Sequence, residues 1–179
     1  GTYTGVTNLV SNAGVVATDV TAVGTARKNI AATEYGYDKG IFGYGTTDGS
    51  SATAVTNLVS NAGVVATDVT GVGTARQTLA ACGYGYDKAI FGYGWDTDNS
   101  SLTNLVSNVG VVATDVTGVG TARHALAACE YGYDKGIFGY GTTGSATAVT
   151  NLVSNAGVVA TDVTGVGTAR EGVAACSFN

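Results

Sequence analysis

The sequence contains no proline and no methionine, and only 12% of its 179 residues are charged. That is about half the charged fraction of an ordinary globular protein, and 45% of the residues are hydrophobic, so the composition excludes intrinsic disorder. Eight residues are basic and the net charge is −5, which argues against nucleic acid as the main partner. No apolar run approaches the roughly 18 residues that a membrane-spanning helix needs, so we predict no membrane span.

Residues suited to catalysis are equally scarce. His124 is the only histidine, and the serines have no recognisable histidine and aspartate partners. The sequence therefore predicts no catalytic residue, no cofactor and no enzyme. The polar loop from Asp96 to Ser100 alternates oxygen ligands as calcium sites do, but it lacks the downstream bidentate glutamate. We therefore predict no metal site.

Cysteine occurs three times, always at the same place in a longer sequence pattern. Cys82, Cys129 and Cys176 are spaced by 47 residues. In the first copy of the pattern, the equivalent position is occupied by Thr33. A position that accepts threonine is neither half of an essential disulfide nor a metal ligand. We predict that these residues are small fillers of the core.

Internal repetition is what the sequence has in abundance. Residues 56–76 read TNLVSNAGVVATDVTGVGTAR, residues 150–170 are identical, and residues 7–27 and 103–123 each differ from them at one position. The arginines that end these segments are Arg27, Arg76, Arg123 and Arg170, at steps of 49, 47 and 47 residues. Residues 1–179 therefore form one tandem array of four repeats of about 47–49 residues, the last split or incomplete. Such near-identity indicates recent duplication or deliberate design.

Each repeat breaks into four β-rich runs separated by turn residues. In the second complete repeat the runs are residues 77–82, 87–93, 102–107 and 111–116. The chain has no stretch with the apolar spacing of a helix. Four short strands in a repeat of roughly 40–50 residues are typical of a β-propeller blade. We therefore predict an all-β propeller of four-stranded blades, with a β-solenoid as the alternative.

The second run indicates how neighbouring blades pack. Its side chains alternate, so Ala89, Phe91 and Tyr93 are predicted to face one way while Ile90 and Gly92 face the other. Glycine on one face lets a neighbouring element come close. We expect the aromatic side chains of one blade to fill the hollow that glycine leaves in the next.

The run TARxxLAA, followed by YGxDKxIFGYG, resembles a kelch repeat. Arg76 matches the arginine before the first strand, and Gly92 and Gly94 match the glycine pair with a tyrosine inserted between them. The kelch tryptophan of the fourth strand is missing, since the only tryptophan, Trp95, lies in a loop. The resemblance implies propeller blades and says little about a ligand. The tandem units also resemble those of repeat proteins from viruses and phages.

The two ends of the chain fall inside a repeat. The chain begins in the register of the glycine that closes a second strand, and it ends where the next second strand would begin. One strand of the fourth repeat is thus missing, and we expect the chain to be a piece of a longer array. The alternative is that a neighbouring molecule supplies the strand.

Recurring residues supply the candidate roles. Aspartates lie eight residues before the arginines, so we predict structural ion pairs at the junctions between blades, among Asp68, Arg76, Asp115, Arg123, Asp162 and Arg170. Variation is concentrated in the loops after the second strand and in the triplet after each arginine, where ligands usually meet a repeat scaffold. Candidate binding residues are Trp95, Asp96, Asp98, Asn99 and His124, with Tyr37, Tyr86 and Tyr133, whose rings suit stacking on sugars. Tyr35, Tyr84 and Tyr131 are further tyrosines that could stack on sugars, and packing between blades is the competing prediction for all six.

These features predict a non-enzymatic structural or adhesive module of a virion appendage or another extracellular assembly. Its partners would be copies of itself or neighbouring structural proteins. The alternative is a multivalent lectin-like propeller that binds glycans through one equivalent pocket per blade. In either case we expect the protein to act outside the cell or on a virion.

Overall fold

The computed structural model describes residues 3–178, which form an all-β array of three antiparallel sheets. Sheet 1 contains β1 (Ala31–Tyr35), β2 (Lys39–Gly43) and β3 (Thr56–Val59). Sheet 2 contains β4 (Ala80–Tyr84), β5 (Lys88–Gly92) and β6 (Thr103–Val106). Sheet 3 contains β7 (Ala127–Tyr131), β8 (Lys135–Gly139) and β9 (Thr150–Val153). Among the described residues, no helix is long and apolar enough to cross a membrane.

Every sheet takes all its strands from a single repeat. The strand order is first, second, third in each case, and the registers are equivalent, as the pairs Ile41–Leu58 and Ile90–Leu105 illustrate. A solenoid would instead place equivalent strands of successive repeats in one sheet. The sheet topology therefore does not match the β-solenoid alternative.

The predicted fourth strand is not a regular strand in the part of the chain that the structure describes. In sheet 2, the run 111–116 pairs with β6 through isolated bridges at Val112 and Val116 and not through a continuous ladder. Three residues of the run lie between these bridges, opposite two residues of β6, so the run is bulged. The side chain of Asn104 donates from Nδ2 to the carbonyl oxygen of Ala113 at 3.1 Å, inside the bulge. The prediction of four regular strands per repeat is therefore wrong for the fourth strand.

Two hydrophobic cores lie between successive sheets. Phe91 packs on Tyr44 between sheets 1 and 2, and Phe138 packs on Tyr93 between sheets 2 and 3, each pair with ring centroids 5.1 Å apart. All four rings are fully buried. A Cβ atom on Gly92 would lie 2.6 Å from the ring of Phe138, so this glycine provides the hollow that the ring fills. The expectation that aromatic side chains fill a glycine hollow is confirmed.

Tyr93 lies on a different face from the one that we predicted. Phe91 belongs to the core against sheet 1, whereas Tyr93 belongs with Ile90 to the core against sheet 3. Tyr93 follows the last residue of β5 and has a φ of 63°, so a left-handed turn ends the alternation of the strand there. The turn gives sheet 2 one aromatic ring for each of its two neighbours.

Backbone hydrogen bonds also link the repeats, at the second residue after each arginine. The amide of Thr78 donates to the carbonyl of Asn29 at 3.0 Å, Ala125 donates to Thr78 at 2.9 Å, and Gly172 donates to Ala125 at 2.9 Å. All four residues have a positive φ, between 52° and 63°. This left-handed turn delays the start of β4 to Ala80, three residues later than predicted. The link uses backbone atoms alone, so it holds for asparagine, threonine, alanine and glycine alike.

The first strands of the sheets surround a small cavity. Thr33, Cys82, Cys129 and Cys176 contribute to the lining of this cavity, whose volume is about 170 Å³. Cys82 is buried, Cys129 is half-buried and Cys176 is exposed. Burial raises the pKa of the Cys82 thiol to about 12, which suppresses its reactive thiolate form. Of the three cysteines, only Cys82 is the buried filler that the sequence predicts.

Candidate functional site

The two variable parts of the repeat lie together on one edge of the array, which we call the variable edge. Each triplet after an arginine runs beside the loop that follows the second strand of the same repeat. Isolated backbone bridges record this pairing, and they join Lys28 to Thr46, Gln77 to Trp95, and His124 to Thr142. The variable edge therefore combines the two regions of sequence variation into one surface.

Trp95 and His124 form a shallow site on the variable edge. Their ring centroids lie 5.1 Å apart, with an angle of 65° between the ring planes. Nδ1 of His124 lies 2.7 Å from Oδ1 of Asn99, and because an amide oxygen only accepts, Nδ1 carries the hydrogen. Gln77 and Thr78 complete the lining of a depression of about 250 Å³. An aromatic wall beside polar groups suits the stacking of a planar or sugar ring.

Three of the predicted binding residues meet in this site, and two do not take part in it. Asp96 accepts a hydrogen bond at Oδ1 from the amide of Asp98 at 3.1 Å, and Asp98 accepts one from the amide of Asn99 at 2.7 Å. These carboxylates shape their own loop. In residues 3–178, no group of three or more histidine, cysteine, aspartate or glutamate side chains is arranged to hold a metal ion.

Gln77 and Thr78 belong to the variable triplet after Arg76, which the sequence indicates as a region where ligands meet the scaffold. Neither is among the individual candidate binding residues, because the pattern identifies the region and not the side chains that line a site. The site also exists at one junction only, because the residues equivalent to Trp95 are Thr46 and Thr142. A ligand held by Trp95 would therefore bind once per chain.

The opposite edge carries three exposed tyrosines, and we call it the tyrosine edge. Tyr37, Tyr86 and Tyr133 lie in the turns between the first and second strands and are 78%, 66% and 66% exposed. Packing accounts for their neighbours Tyr35 and Tyr84, which are buried. The prediction that packing competes for the tyrosines is thus correct for that buried pair and wrong for the three turn residues.

Backbone hydrogen bonds tie the turns of the tyrosine edge to one another. The amide of Gly36 donates to the carbonyl of Asp87 at 2.8 Å, and the amide of Gly85 donates to the carbonyl of Asp134 at the same distance. Each turn is therefore fixed to the turn of the next repeat. The three exposed rings consequently form a row on adjacent turns, one ring for each sheet.

The backbone conformation of these tyrosines is unfavourable for a bulky residue. Their φ angles are 71°, 70° and 67°, in the left-handed region that favours glycine and asparagine. A residue with a Cβ atom in this region loses roughly 1–2 kcal/mol. Strain that recurs in every described turn of this kind indicates that the tyrosine serves a purpose other than turn stability.

Replacing Tyr86 with asparagine should therefore leave the free energy of unfolding unchanged or raise it by up to about 1 kcal/mol, because asparagine tolerates this conformation. Urea denaturation measures the change. The control is Tyr84→Asn in the same hairpin, which removes a ring that is 4% exposed and should lower the free energy by about 3 kcal/mol. A loss well above 1 kcal/mol in Tyr86→Asn would mean that the exposed ring supports the fold.

Within residues 3–178 one of the predicted arginines forms an ion pair, and its partner differs from the predicted one. Nη1 of Arg76 lies 3.7 Å from Oδ1 of Asp115, so the arginine meets the aspartate of the repeat that it begins. Asp115 also accepts hydrogen bonds from the hydroxyl of Thr74 at 2.7 Å and from Nδ2 of Asn104 at 2.9 Å. Partial burial opposes the ionisation of Asp115, but these hydrogen bonds outweigh it and lower the pKa of the carboxyl. The sequence placed this arginine with Asp68, one repeat too early.

The arginines also cover the tyrosines of the cores. The guanidinium of Arg76 lies 5.2 Å from the ring centroid of Tyr44, and that of Arg123 lies 4.3 Å from the centroid of Tyr93. Both arginine side chains are completely buried. Contacts at the junction between two sheets hold each guanidinium in place. Nε of Arg123, for example, donates a hydrogen bond to a backbone carbonyl oxygen at 2.8 Å. Polar residues at the junctions therefore fasten successive sheets together.

No protein-family model and no curated protein matches this sequence. The fold does match 109 chains of solved structures. One of them is the structure of YjhT, with a TM-score of 0.60 and 14% sequence identity. The match covers 84% of this chain and 48% of that chain, so the chain spans about half the length of YjhT. At this identity the likeness shows a shared all-β fold and carries no statement about activity.

Proposed function

We propose that the chain is a non-enzymatic structural or adhesive module built of kelch-like propeller blades. The observation that carries this proposal is that one set of contacts between sheets is used twice. A phenylalanine of one sheet packs on a tyrosine of the preceding sheet at 5.1 Å, beneath a buried arginine, at both internal junctions. A packing contact that recurs at successive junctions suits a rigid spacer whose length is set by the number of units.

The propeller arrangement is part of this proposal. The first strands β1, β4 and β7 line one cavity, while the second and third strands follow in order away from it. That order supports blades arranged around a common axis, with the bulged fourth run at the outer rim. The setting that we propose is a virion appendage or another extracellular assembly, with copies of the chain or neighbouring structural proteins as partners.

The second candidate function is a multivalent lectin. The tyrosine edge favours it, because three exposed and strained rings stand in equivalent positions. Aromatic rings held at fixed spacing stack on sugars, and several weak contacts add up when a ligand bridges them. The depression beside Trp95 is a further place for a sugar ring, although it occurs at one junction only.

A glycan array distinguishes the two functions. For the structural module we expect no saturable binding of any glycan. Saturable binding that disappears in the triple variant Y37A/Y86A/Y133A and survives in Trp95→Ala would instead establish the lectin, with up to three sugars per chain. Binding that disappears only in Trp95→Ala would place a single sugar on the variable edge, and would equally contradict a purely structural role.

A further inference from the structure

Tyr86 and Trp95 lie at the two ends of β5, on opposite edges of the array. Tyr86 stands in the turn before the strand and Trp95 in the loop after it. Because an extended strand separates them, the two side chains cannot meet within one chain. Sheet 2 has a neighbouring sheet packed on each of its faces, and Tyr86 is still 66% exposed. The exposure of this ring is therefore a property of the interior of the array.

The turn tyrosine is a rigid projection. The amide of Gly85 fixes the turn to the carbonyl of Asp134 at 2.8 Å, and Tyr86 itself has a φ of 70°. Tyrosine has few rotatable bonds, so a ring on a fixed turn loses little conformational freedom when it is bound. An exposed ring that is held in this way, at the cost of backbone strain, is suited to insertion into a hollow on another molecule.

The depression on the variable edge has the chemistry of a phenol site. Oε1 of Gln77 accepts a hydrogen bond from Nδ2 of Asn29 at 2.9 Å, which leaves the amide nitrogen of Gln77 to donate. Nδ1 of His124 donates to Asn99, so Nε2 of the neutral imidazole is an acceptor. A phenol hydroxyl both donates and accepts, and its ring stacks on the indole of Trp95. The depression therefore matches a tyrosine side chain in both its apolar and its polar parts.

The charges beside the projection and beside the depression are opposite. In the second and third turns the lysine is more exposed than the aspartate that it pairs with: the side chain of Lys88 is 43% exposed and that of Asp87 is 15% exposed. These turns therefore present ammonium groups outward. The loop beside the depression carries Asp96, which is half-exposed, and Asp98, which is exposed. Lys28 is on the same edge but lies one repeat away.

We propose that the tyrosine edge of one copy docks on the variable edge of a second copy, with a turn tyrosine inserted beside Trp95 and His124. The outward lysines of the first copy then face Asp96 and Asp98 of the second. The contact uses different surfaces on the two copies, so it generates a stack that grows or closes on itself. The inference rests on the proposed structural function, because it names the surfaces through which such a module assembles.

The test combines light scattering with the fluorescence of Trp95, which is the only tryptophan. Over a range of concentrations of the 179-residue chain, under reducing conditions, we expect the mass to rise above 17.7 kDa and the emission of Trp95 to shift in parallel. Added salt should weaken both changes. Trp95→Ala removes the depression and Y37N/Y86N/Y133N removes the projections, and each should weaken self-association by about tenfold or more.

Mixing these two variants tests the contact directly. The Trp95→Ala chain keeps its tyrosines and the triple variant keeps its depression, so one chain of each should form a pair that cannot extend further. The emission of Trp95 in the triple variant should shift as the Trp95→Ala chain is added. K88Q/K135Q should weaken association, whereas T67E/T114E, which lowers the net charge equally but on the exposed outer run, is the control and should leave it unchanged.

Three results would overturn the proposed contact. They are a monomer at every concentration, an oligomer that is indifferent to Trp95→Ala and to the triple variant, and a mixture in which the emission of Trp95 does not change. Circular dichroism confirms that each variant is folded, and either variant alone still carries the comparison with the unchanged chain. A sugar that binds beside Trp95 in a chain that stays monomeric would assign the depression to the lectin instead. The glycan array therefore tests the structural role, and the mixture tests this contact.

Discussion

Asp115→Ala is expected to lower the free energy of unfolding by about 3–5 kcal/mol. The substitution leaves the completely buried guanidinium of Arg76 without its carboxylate, and it removes the acceptor for Thr74 and Asn104. A buried charge that loses its partner is among the most destabilising changes that a fold can suffer. Urea denaturation at neutral pH and low protein concentration measures the loss.

The chain supplies a matched control in Asp19→Ala. Asp19 occupies the same place in the repeat as Asp115, but it is exposed, and within residues 3–178 its one side-chain partner is Asn8. Its removal should change the free energy of unfolding by less than about 0.5 kcal/mol. Equal losses in the two variants would show that the buried arginine does not depend on its aspartate.

The effect of Asp115→Ala should also depend on pH, because the pKa of Asp115 in the folded chain is lowered. A carboxyl with a lowered pKa stabilises the fold above its unfolded pKa, near about 4, and that stabilisation disappears as the pH falls through the folded value. The difference between the unchanged chain and the variant should therefore narrow below about pH 4. Denaturation at a series of acidic pH values checks this.

Phe138→Ala is expected to lower the free energy of unfolding by about 3–5 kcal/mol. The ring is completely buried, it packs on Tyr93 at 5.1 Å, and it fills the hollow beside Gly92. Truncation leaves a cavity between sheets 2 and 3 that the close-packed β-strands around it cannot fill. Thermal or urea unfolding measures the loss.

Phe42→Ala is the control, since Phe42 holds the equivalent position in sheet 1 and is only half-buried. No tyrosine ring packs against it among the described residues, and its aromatic face lies 5.9 Å from the guanidinium of Arg27. We expect a loss of about 1 kcal/mol. A loss as large as that of Phe138→Ala would contradict the view that the contact between sheets supplies the stability.

Much of the fold follows from the sequence because its signals are local and repeated. The second strands were placed within a residue or two, since alternating side chains and flanking turn residues specify such a segment. The glycine hollow was predictable for the same reason. Tyr93 was not, because its face depends on a left-handed φ that tyrosine adopts rarely. The bulge of the fourth run depends on the side chain of Asn104, which a strand pattern does not reveal.

The candidate sites were predictable in their residues but not in their grouping. Trp95 and His124 belong to different repeats, and their contact depends on how sheets 2 and 3 stack. The partner of Arg76 is likewise fixed by packing, which places Asp115 beside it rather than the nearer aspartate in the sequence. Exposure divides the tyrosines of one hairpin into Tyr84 and Tyr86, and composition cannot separate two identical residue types two positions apart.

The backbone link between repeats has a consequence for how such a gene changes in length. Asn29, Thr78, Ala125 and Gly172 make the same bonds with four different side chains, so mutation at this position leaves the link in place. Recombination between nearly identical coding segments adds or removes whole units, and each new neighbour is joined through atoms that every residue possesses. Length can therefore vary in steps of one repeat while the variable edge diverges, and the triplet that contains this link is one of the two regions in which the repeats differ.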